Sequence, residues 1–454
     1  MTALPRDLDI FLRSGSRIQP EIAASVQGSW PCSACARTTV ANSQVRMISC
    51  ACGRRSNGNS RPNRSGSSSH WPAICGLSDD VPEGFAEEQR GVPGGFVGDP
   101  DVMDTWATSS LSPQIAGMWE DEPEFFARVF PYDLRPQAHE IIRTWLFATV
   151  VRAHLEHGSL PWTGAAISGW ILDPDRKKMS KSKGNAETPE DVVKANGADA
   201  VRYWAASGRL GTDAAYDTGQ MKVGRRLAIK VLNASKFALG FGEVSGDLRA
   251  AVTNPLDLSM LSALGDVVDK ATQGFEGWDY TRSLEATETF FWTFCDDYLE
   301  LVKDRAYGGQ GDEAAASARA ALRLALETLL RLLAPFIPYA TEEVWSWFGE
   351  GSVHRQPWPT RDELPAGGDA AVLPAVGAAL AGVRKVKSEA KVGMRAEVRS
   401  MTLVAPEASV ARIRAAEADL RASGRISELA YAVGEVVEVR DAELVPVEKP
   451  SAQG

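Results

Sequence analysis

Between Asp173 and Asn185 the chain reads Asp-Pro-Asp-Arg-Lys-Lys-Met-Ser-Lys-Ser-Lys-Gly-Asn, which puts four lysines and an arginine within eight residues. Beside them stand the small hydroxyls of Ser180 and Ser182 and the glycine at 184. Mobile ammonium groups at this density are suited to a polyphosphate, because they neutralise a leaving pyrophosphate as its charge develops. A solvated basic loop has the same composition, so context must separate the two readings. Ala165–Leu172 is a short apolar run between Gly164 and Asp173-Pro174, which predicts a buried parallel strand. Thr188-Pro189-Glu190-Asp191 then supplies an N-cap threonine, a proline at the first helical position and acids in the first turn. A strand, a lysine-rich loop and a helix start form an α/β unit with the loop at the strand's C-terminal end. Phosphates are commonly held there.

The stretch Lys178-Met-Ser-Lys-Ser182 after an apolar strand resembles the second signature of the class I aminoacyl-tRNA synthetases. The longer run from Ala166 to Asn185 is similar to that of the valyl members. The resemblance implies that Lys178 and Lys181 contact ATP phosphates, with Ser180 and Ser182 in the same catalytic loop, and that Trp170 and Ile171 border the adenine. Asp101-Val-Met-Asp-Thr-Trp106 is similar to the segment lining the amino-acid pocket. Pro136-Gln-Ala-His-Glu-Ile-Ile-Arg-Thr-Trp145 is similar to the helix that bears ribose contacts near its start. By the same resemblance Trp106 and Trp145 wall a small aliphatic pocket, and Gln137, His139 and Glu140 lie near the ribose. Ala138 and Glu140 depart from the commoner Gly and Asp, which weakens the ribose assignment. Taken alone, either tryptophan reads more readily as core than as pocket wall.

Farther on, Met221–Phe237 resembles the opening helix of the class Ia anticodon-binding domain, and Pro335–Trp345 resembles its closing motif. Lys222, Arg225, Arg226, Lys230 and Lys236 place five cations within fifteen residues, as contact with a tRNA backbone requires. Lys222, Arg226 and Lys230 recur at spacing four and share a helix face, while a solvated face remains the alternative. The resemblance covers about residues 81–454 and implies a valine-tRNA ligase. ATP with Mg2+ would activate the valine carboxylate as an adenylate, and the terminal ribose hydroxyl of tRNA-Val would then accept the valyl group. The expectation is a cytoplasmic monomer with no tightly bound cofactor and no DNA or membrane partner.

The histidines weigh against a complete catalyst. Class I enzymes use an H-x-G-H motif on the phosphates, and His70, His139, His154, His157 and His354 form none. His154-Leu-Glu-His157 has glutamate where a glycine must let the backbone approach ATP. The valyl family's editing domain is missing as well. The reading is therefore a truncated ligase, with a non-catalytic tRNA-binding remnant as the alternative.

The elements that must position these residues follow from the rest of the chain. Its 454 residues, 44% hydrophobic and 24% charged, allow two or three domains. A net charge of −10 excludes attraction of nucleic acid by bulk charge, but a local basic stripe suffices for phosphate contacts. No apolar run reaches the roughly 18 residues of a membrane span. Asp7 and Asp9 stand where a secretory signal needs an apolar core. The expected architecture is the α/β C-terminal half of a Rossmann-like nucleotide-binding fold, then an all-α anticodon-binding helical bundle, then a small α+β module. The expected boundaries are an atypical, disordered or out-of-family segment at 1–80, a partial catalytic domain at 81–220, the bundle at 221–358, and a linker with the module at 359–454.

Within these, the periodicity predicts a helix over Gln137–His157 that Gly158 ends. Leu284, Phe291, Phe294, Tyr298 and Val302 form one helical face, and Leu322, Leu326, Leu329 and Leu333 another. Pro335 and Pro338 interrupt this pattern before Thr341–Phe348 resumes it. Pro357–Asp369 reads as a linker, Val376–Ala390 as a helix, and Ser400–Val404 and Val433–Val439 as alternating strands. Cys32, Cys35, Cys50 and Cys52 invite a structural zinc reading, yet only one residue separates the second pair, so the expectation is no metal site.

Overall fold

Parallel pairing of two distant strands organises the first of two units into which the chain divides, one ending at Gly169 and the other beginning at Trp170. The structure, a computed structural model, describes residues 81, 84–93, 95, 106–179, 188–242 and 246–445. The four N-terminal cysteines, the stretch from Asp101 to Thr105, and Ser180, Lys181 and Ser182 lie outside the described residues.

In the first unit Tyr132–Ala138 (β1) runs parallel to Trp162–Ser168 (β2), with Leu134 opposite Gly164 and Gln137 opposite Ile167. The crossover is a 3-10 turn at His139–Ile141, a π-helical turn at Ile142–Leu146 and the helix Phe147–His157 (α1). Gly158 closes α1 at φ 67, a left-handed conformation that costs glycine little, and its N–H donates to His154. The helix expected over Gln137–His157 thus begins only at His139. Pro136 has no N–H to give a helix and disfavours helical backbone at Arg135, while the ladder to β2 holds Gln137 extended. The strand expected over Ala165–Leu172 is likewise two. β2 ends at Ser168, and Ile171–Leu172 (β3) pairs in parallel with Ala214–Ala215 (β4) in the second unit.

The second unit continues with Pro189–Asn196 (α2), Ala198–Ala206 (α3) and Thr218–Leu239 (α4). Thr188 caps α2 by accepting from the Asp191 N–H at 3.3 Å, as its sequence position predicts. Gly224 lets α4 close on α3: a Cβ there would stand 2.6 Å from the Tyr203 side chain. Pro255–Glu276 (α5) and Tyr280–Thr293 (α6) follow, and a π-helical turn at Phe294–Tyr298 carries α6 into Leu299–Ala306 (α7). Asp312–Leu333 (α8) stops before Pro335, and Pro338–Trp345 (α9) restarts at the second proline. Both apolar faces read from the sequence are buried.

The stretch read as a linker lies against α5. Trp358 Nε1 donates to Thr272 at 2.9 Å, and Arg361 bonds Asp269 at 2.7 Å and pairs with Asp266. Beyond it come Val372–Glu389 (α10), Val398–Ala405 (β5), Glu407–Arg414 (α11), Glu417–Gly424 (α12), Ile426–Val433 (β6) and Glu438–Leu444 (β7). The sheet order is β6-β5-β7, with β6 parallel and β7 antiparallel to β5. Alternation at Val433–Val439 therefore straddled the turn between two strands, since valines on either side of Gly434 keep the apolar pattern going. One core joins the bundle to this sheet: Leu264, Leu301 and Leu326 belong to the same cluster as Val383, Leu403 and Leu420. Among the described residues no helix is long and apolar enough to cross a membrane.

Beneath the surface of this unit sits a closed ionic network. Arg305, fully buried, forks onto Asp257 with both contacts at 2.6 Å and donates through Nε to Asp419 at 3.0 Å. Tyr298 and Ser317 each donate to Asp257 at 2.7 Å, and Gln310 donates to Asp419 at 3.1 Å. The network ties α5, α7 and α8 to α12. Burial pushes the Asp419 carboxyl above its ordinary range against the pull of Arg305.

Candidate nucleotide loop and nucleic-acid face

In the second unit the approach to the lysine loop is a tight turn organised by Asp173, which is 8% exposed. Its N–H donates to the Lys177 carbonyl at 2.8 Å, and its carboxylate accepts from the Lys177 N–H at 2.7 Å. Arg176 completes the reversal at φ 61. Lys178 thereby returns beside Leu172 in an antiparallel bridge, with its ammonium 4.6 Å from the centre of the Trp170 ring. Trp170 is held in turn: its N–H donates to Asp213 at 2.8 Å, and its carbonyl accepts from Ala214 at 2.9 Å. Ile171 is half-exposed.

Asp173 and Asp213 are positioning residues that the sequence reading did not single out. Asp173-Pro-Asp is turn chemistry in plain view. Asp213 acquires its role only through the β3–β4 pairing, forty residues away.

In the first unit Trp106 opens the single-turn helix Trp106–Ser109 and is 36% exposed. Trp145 is packed differently. It is 4% exposed, stacks on Trp162 at 5.6 Å with 7° between the planes, and has the Arg135 guanidinium 3.6 Å from its ring centre. Its Nε1 donates to Ser109 at 2.7 Å, so it anchors the element that carries Trp106. Gln137 is buried on β1, and its Oε1 has no partner. His139 Nδ1 lies 3.2 Å from the Ser168 carbonyl, bridging the C-terminal ends of β1 and β2, while Glu140 is exposed. His157, the second histidine of the His154–His157 pair, sits among Trp119, Phe126 and Phe130 at 4.8–5.2 Å. Burial holds its imidazole below the ordinary histidine value, against a weaker opposing effect of Glu156.

Asp217 caps α4 by accepting from Gly219 at 2.7 Å and Gln220 at 3.1 Å. Of the five α4 cations, Lys222, Arg225 and Arg226 are exposed and have no ion pair among the described residues. Lys230 is engaged with Asp296 at 3.1 Å and lies 5.8 Å over Trp292, and Lys236 lies 6.0 Å over Trp347. The spacing-four row is therefore open at its first two members and paired at its third.

Two stretches of the chain match known families. Residues 80–217 match the family described as tRNA synthetases class I (I, L, M and V). Residues 257–402 match the anticodon-binding domain of tRNA ligase. A valine--tRNA ligase of Thermobifida fusca is 61% identical over 377 residues, covering 82% of this chain and 42% of that protein. One from Salinispora tropica is 58% identical over 371 residues, covering 78% of this chain and 43% of its own length. One from Cutibacterium acnes is 56% identical over 365 residues, covering 80% and 42%. A solved LeuRS–tRNA–LeuAMS complex from Agrobacterium radiobacter K84 overlaps 76% of this chain and 43% of its own at 19% identity, with a TM-score of 0.49. The chain spans less than half the length of the curated relatives it matches, and it belongs with them among the class I aminoacyl-tRNA synthetases, as a member of the valyl type.

Proposed function

We propose that this chain serves the ligation of valine to tRNA, carrying the phosphate-handling lysine loop and the tRNA-binding helices of a valyl-tRNA synthetase. The observation behind it is Lys178, held beside β3 over Trp170 in a sequence 61% identical to a valine--tRNA ligase. In this reading a valine carboxylate oxygen attacks the α-phosphorus of MgATP, the bond to the bridging oxygen breaks and pyrophosphate leaves. Lys178 and Lys181 stabilise that departing charge, with Ser180 and Ser182 in the same loop. The terminal ribose hydroxyl of tRNA-Val then attacks the adenylate carbonyl and AMP is released.

The elements β1, α1 and β2 are read as part of a Rossmann-like nucleotide fold within 81–220, followed by the anticodon-binding bundle at 221–358 and the module at 359–454. Trp170 and Ile171 border the adenine, and Trp106 walls the valine side. Trp145 acts through the helix it anchors, and Gln137, His139 and Glu140 serve the ribose. On α4 the open cations Lys222, Arg225 and Arg226 meet tRNA phosphates, with Lys230 and Lys236 flanking them.

A second reading, tRNA binding without valine activation, is favoured by His157, whose ring is packed into an aromatic cluster. The full chain is expected to bind tRNA-Val at low salt, with affinity falling as salt rises. Under the second reading valine-dependent ATP–pyrophosphate exchange stays at background. Exchange above background that Lys178→Ala abolishes would establish activation chemistry in this chain. No binding of tRNA-Val at low salt would overturn both readings.

A further inference from the structure

A second basic recess lies away from the lysine loop, where α7, α10 and the C-terminal end of α12 enclose a cleft of about 550 Å³. Lys303, Arg384, Lys387, Arg395 and Arg425 line it, against only Glu300 and Asp304. Glu300 pairs with Lys303 at 2.5 Å and Arg384 with Asp297 at 3.3 Å, which leaves Lys387, Arg395 and Arg425 against Asp304. In a chain of net charge −10 this local excess runs against the average.

The cations are held in place by the fold. Lys387 is 2% exposed and floors the cleft, donating to the Gly424 carbonyl at 2.7 Å and to Met394 at 3.1 Å. Arg425 ends α12 at φ 51, and its guanidinium donates to the Arg395 carbonyl at 3.2 Å. Arg395 has no ion pair among the described residues. Burial, and then the charge of Arg425, hold the Lys387 ammonium below the usual lysine range. An anion in the cleft would relieve that like-charge repulsion.

Arg384 connects this cleft with α4. It donates to the Asp296 carbonyl at 2.7 Å and lies 3.3 Å from Asp297, and the Asp296 carboxylate also takes Lys230 of α4 at 3.1 Å. Cations therefore recur from Lys222 and Arg226, through Lys230 and Arg384, which Asp296 and Asp297 partly neutralise, to Lys387, Arg395 and Arg425. Such a track suits successive phosphates of one strand better than a lone small anion.

We propose that the cleft holds a backbone phosphate of bound tRNA and extends the nucleic-acid interface from α4 onto the C-terminal module. The proposal rests on the tRNA-binding reading above. The test uses the full chain and tRNA-Val over a salt series. Arg395→Gln with Arg425→Gln should lower affinity about fivefold near 0.1 M salt and reduce the salt slope by about 0.8, the effect of one lost phosphate contact. Asp304→Asn, which removes the uncommitted acid, should tighten binding. If the double variant does not fold, Asp304→Asn decides alone, and unchanged affinity there overturns the proposal.

Lys222→Gln, Arg225→Gln and Arg226→Gln together separate the two claims. Weakened binding in this α4 variant, with both cleft variants unchanged, removes the cleft and leaves the function. If neither set changes binding, both fall. A thermal shift with inorganic phosphate, lost in the cleft double variant while tRNA affinity stays the same, would make the cleft a small-anion site and overturn its assignment to RNA.

Discussion

Gln114, Gln137 and Trp162 of the first unit and Asp257, Arg305 and Asp419 of the second are all buried polar side chains, yet they are treated in opposite ways. Among the described residues every buried side-chain polar atom without a partner lies between Gln114 and Trp162. Both amide atoms of Gln114, Nε of Arg135, Oε1 of Gln137, Oγ1 of Thr144, Nε2 of His157 and Nε1 of Trp162 make up that set. In the second unit the charges of Arg305, Asp257 and Asp419 close on one another and on Tyr298, Ser317 and Gln310. Satisfied networks specify packing, whereas unsatisfied polar groups persist where something other than stability retains them. The bundle and its sheet thus carry the groups that specify their own packing, and the α/β unit carries polar groups its own core does not use.

The largest expected effect tests the second half of that contrast. Arg305→Met should lower stability by about 3–5 kcal/mol, because it leaves Asp257 and Asp419 buried without their cation. Urea unfolding followed by far-ultraviolet circular dichroism checks it, and a loss under about 1 kcal/mol would mean water reaches the network. Tyr298→Phe removes one bond to a charged acceptor and should cost about 1.5–3 kcal/mol in the same assay. Gln114→Met tests the other unit and should go the opposite way. It replaces an amide lacking both partners with a side chain of similar length, so stability should hold or rise by up to about 1 kcal/mol. A loss of about 2 kcal/mol or more would show that the amide is satisfied in solution and would dissolve the comparison.

What could be read in advance was local. The lysine loop, the Thr188 cap and the breaks at Pro335 and Pro338 each depend on neighbours a few residues away, and the structure has the cap and breaks as read. Gln137 was misplaced on a helix because its extended backbone depends on Ile167, thirty residues on. The same reason hid the partner of Lys230: Asp296 is sixty-six residues away, and α4 periodicity alone made the row look uniformly open. Trp145 read as a pocket wall by resemblance, while its stacking on Trp162 depends on the strand that follows the crossover. Nothing near Arg305 in the chain announces Asp257 or Asp419.

The smallest effect concerns His157 and reaches the first unit through pH. Its imidazole packs edge-on against Trp119 at 5.0 Å, and its Nε2 is buried without a partner. Burial holds the folded-state pKa below the unfolded value of 6.5, with Glu156 opposing more weakly. Above that unfolded value the ring is neutral in both states and contributes no pH dependence. As the pH falls through it, the unfolded chain binds a proton that the folded ring refuses, so stability declines. The decline ends once the pH is below the folded value. The first unit should therefore be more stable at about pH 7.5 than at about pH 5.5, while carboxylates are still ionised over most of that window. Tryptophan fluorescence during urea unfolding at the two pH values measures the difference, and His157→Phe supplies the control by keeping the aromatic packing without the titration. If the difference survives unchanged in His157→Phe, the pH sensitivity belongs elsewhere, and the missing partner of Nε2 carries no cost in solution.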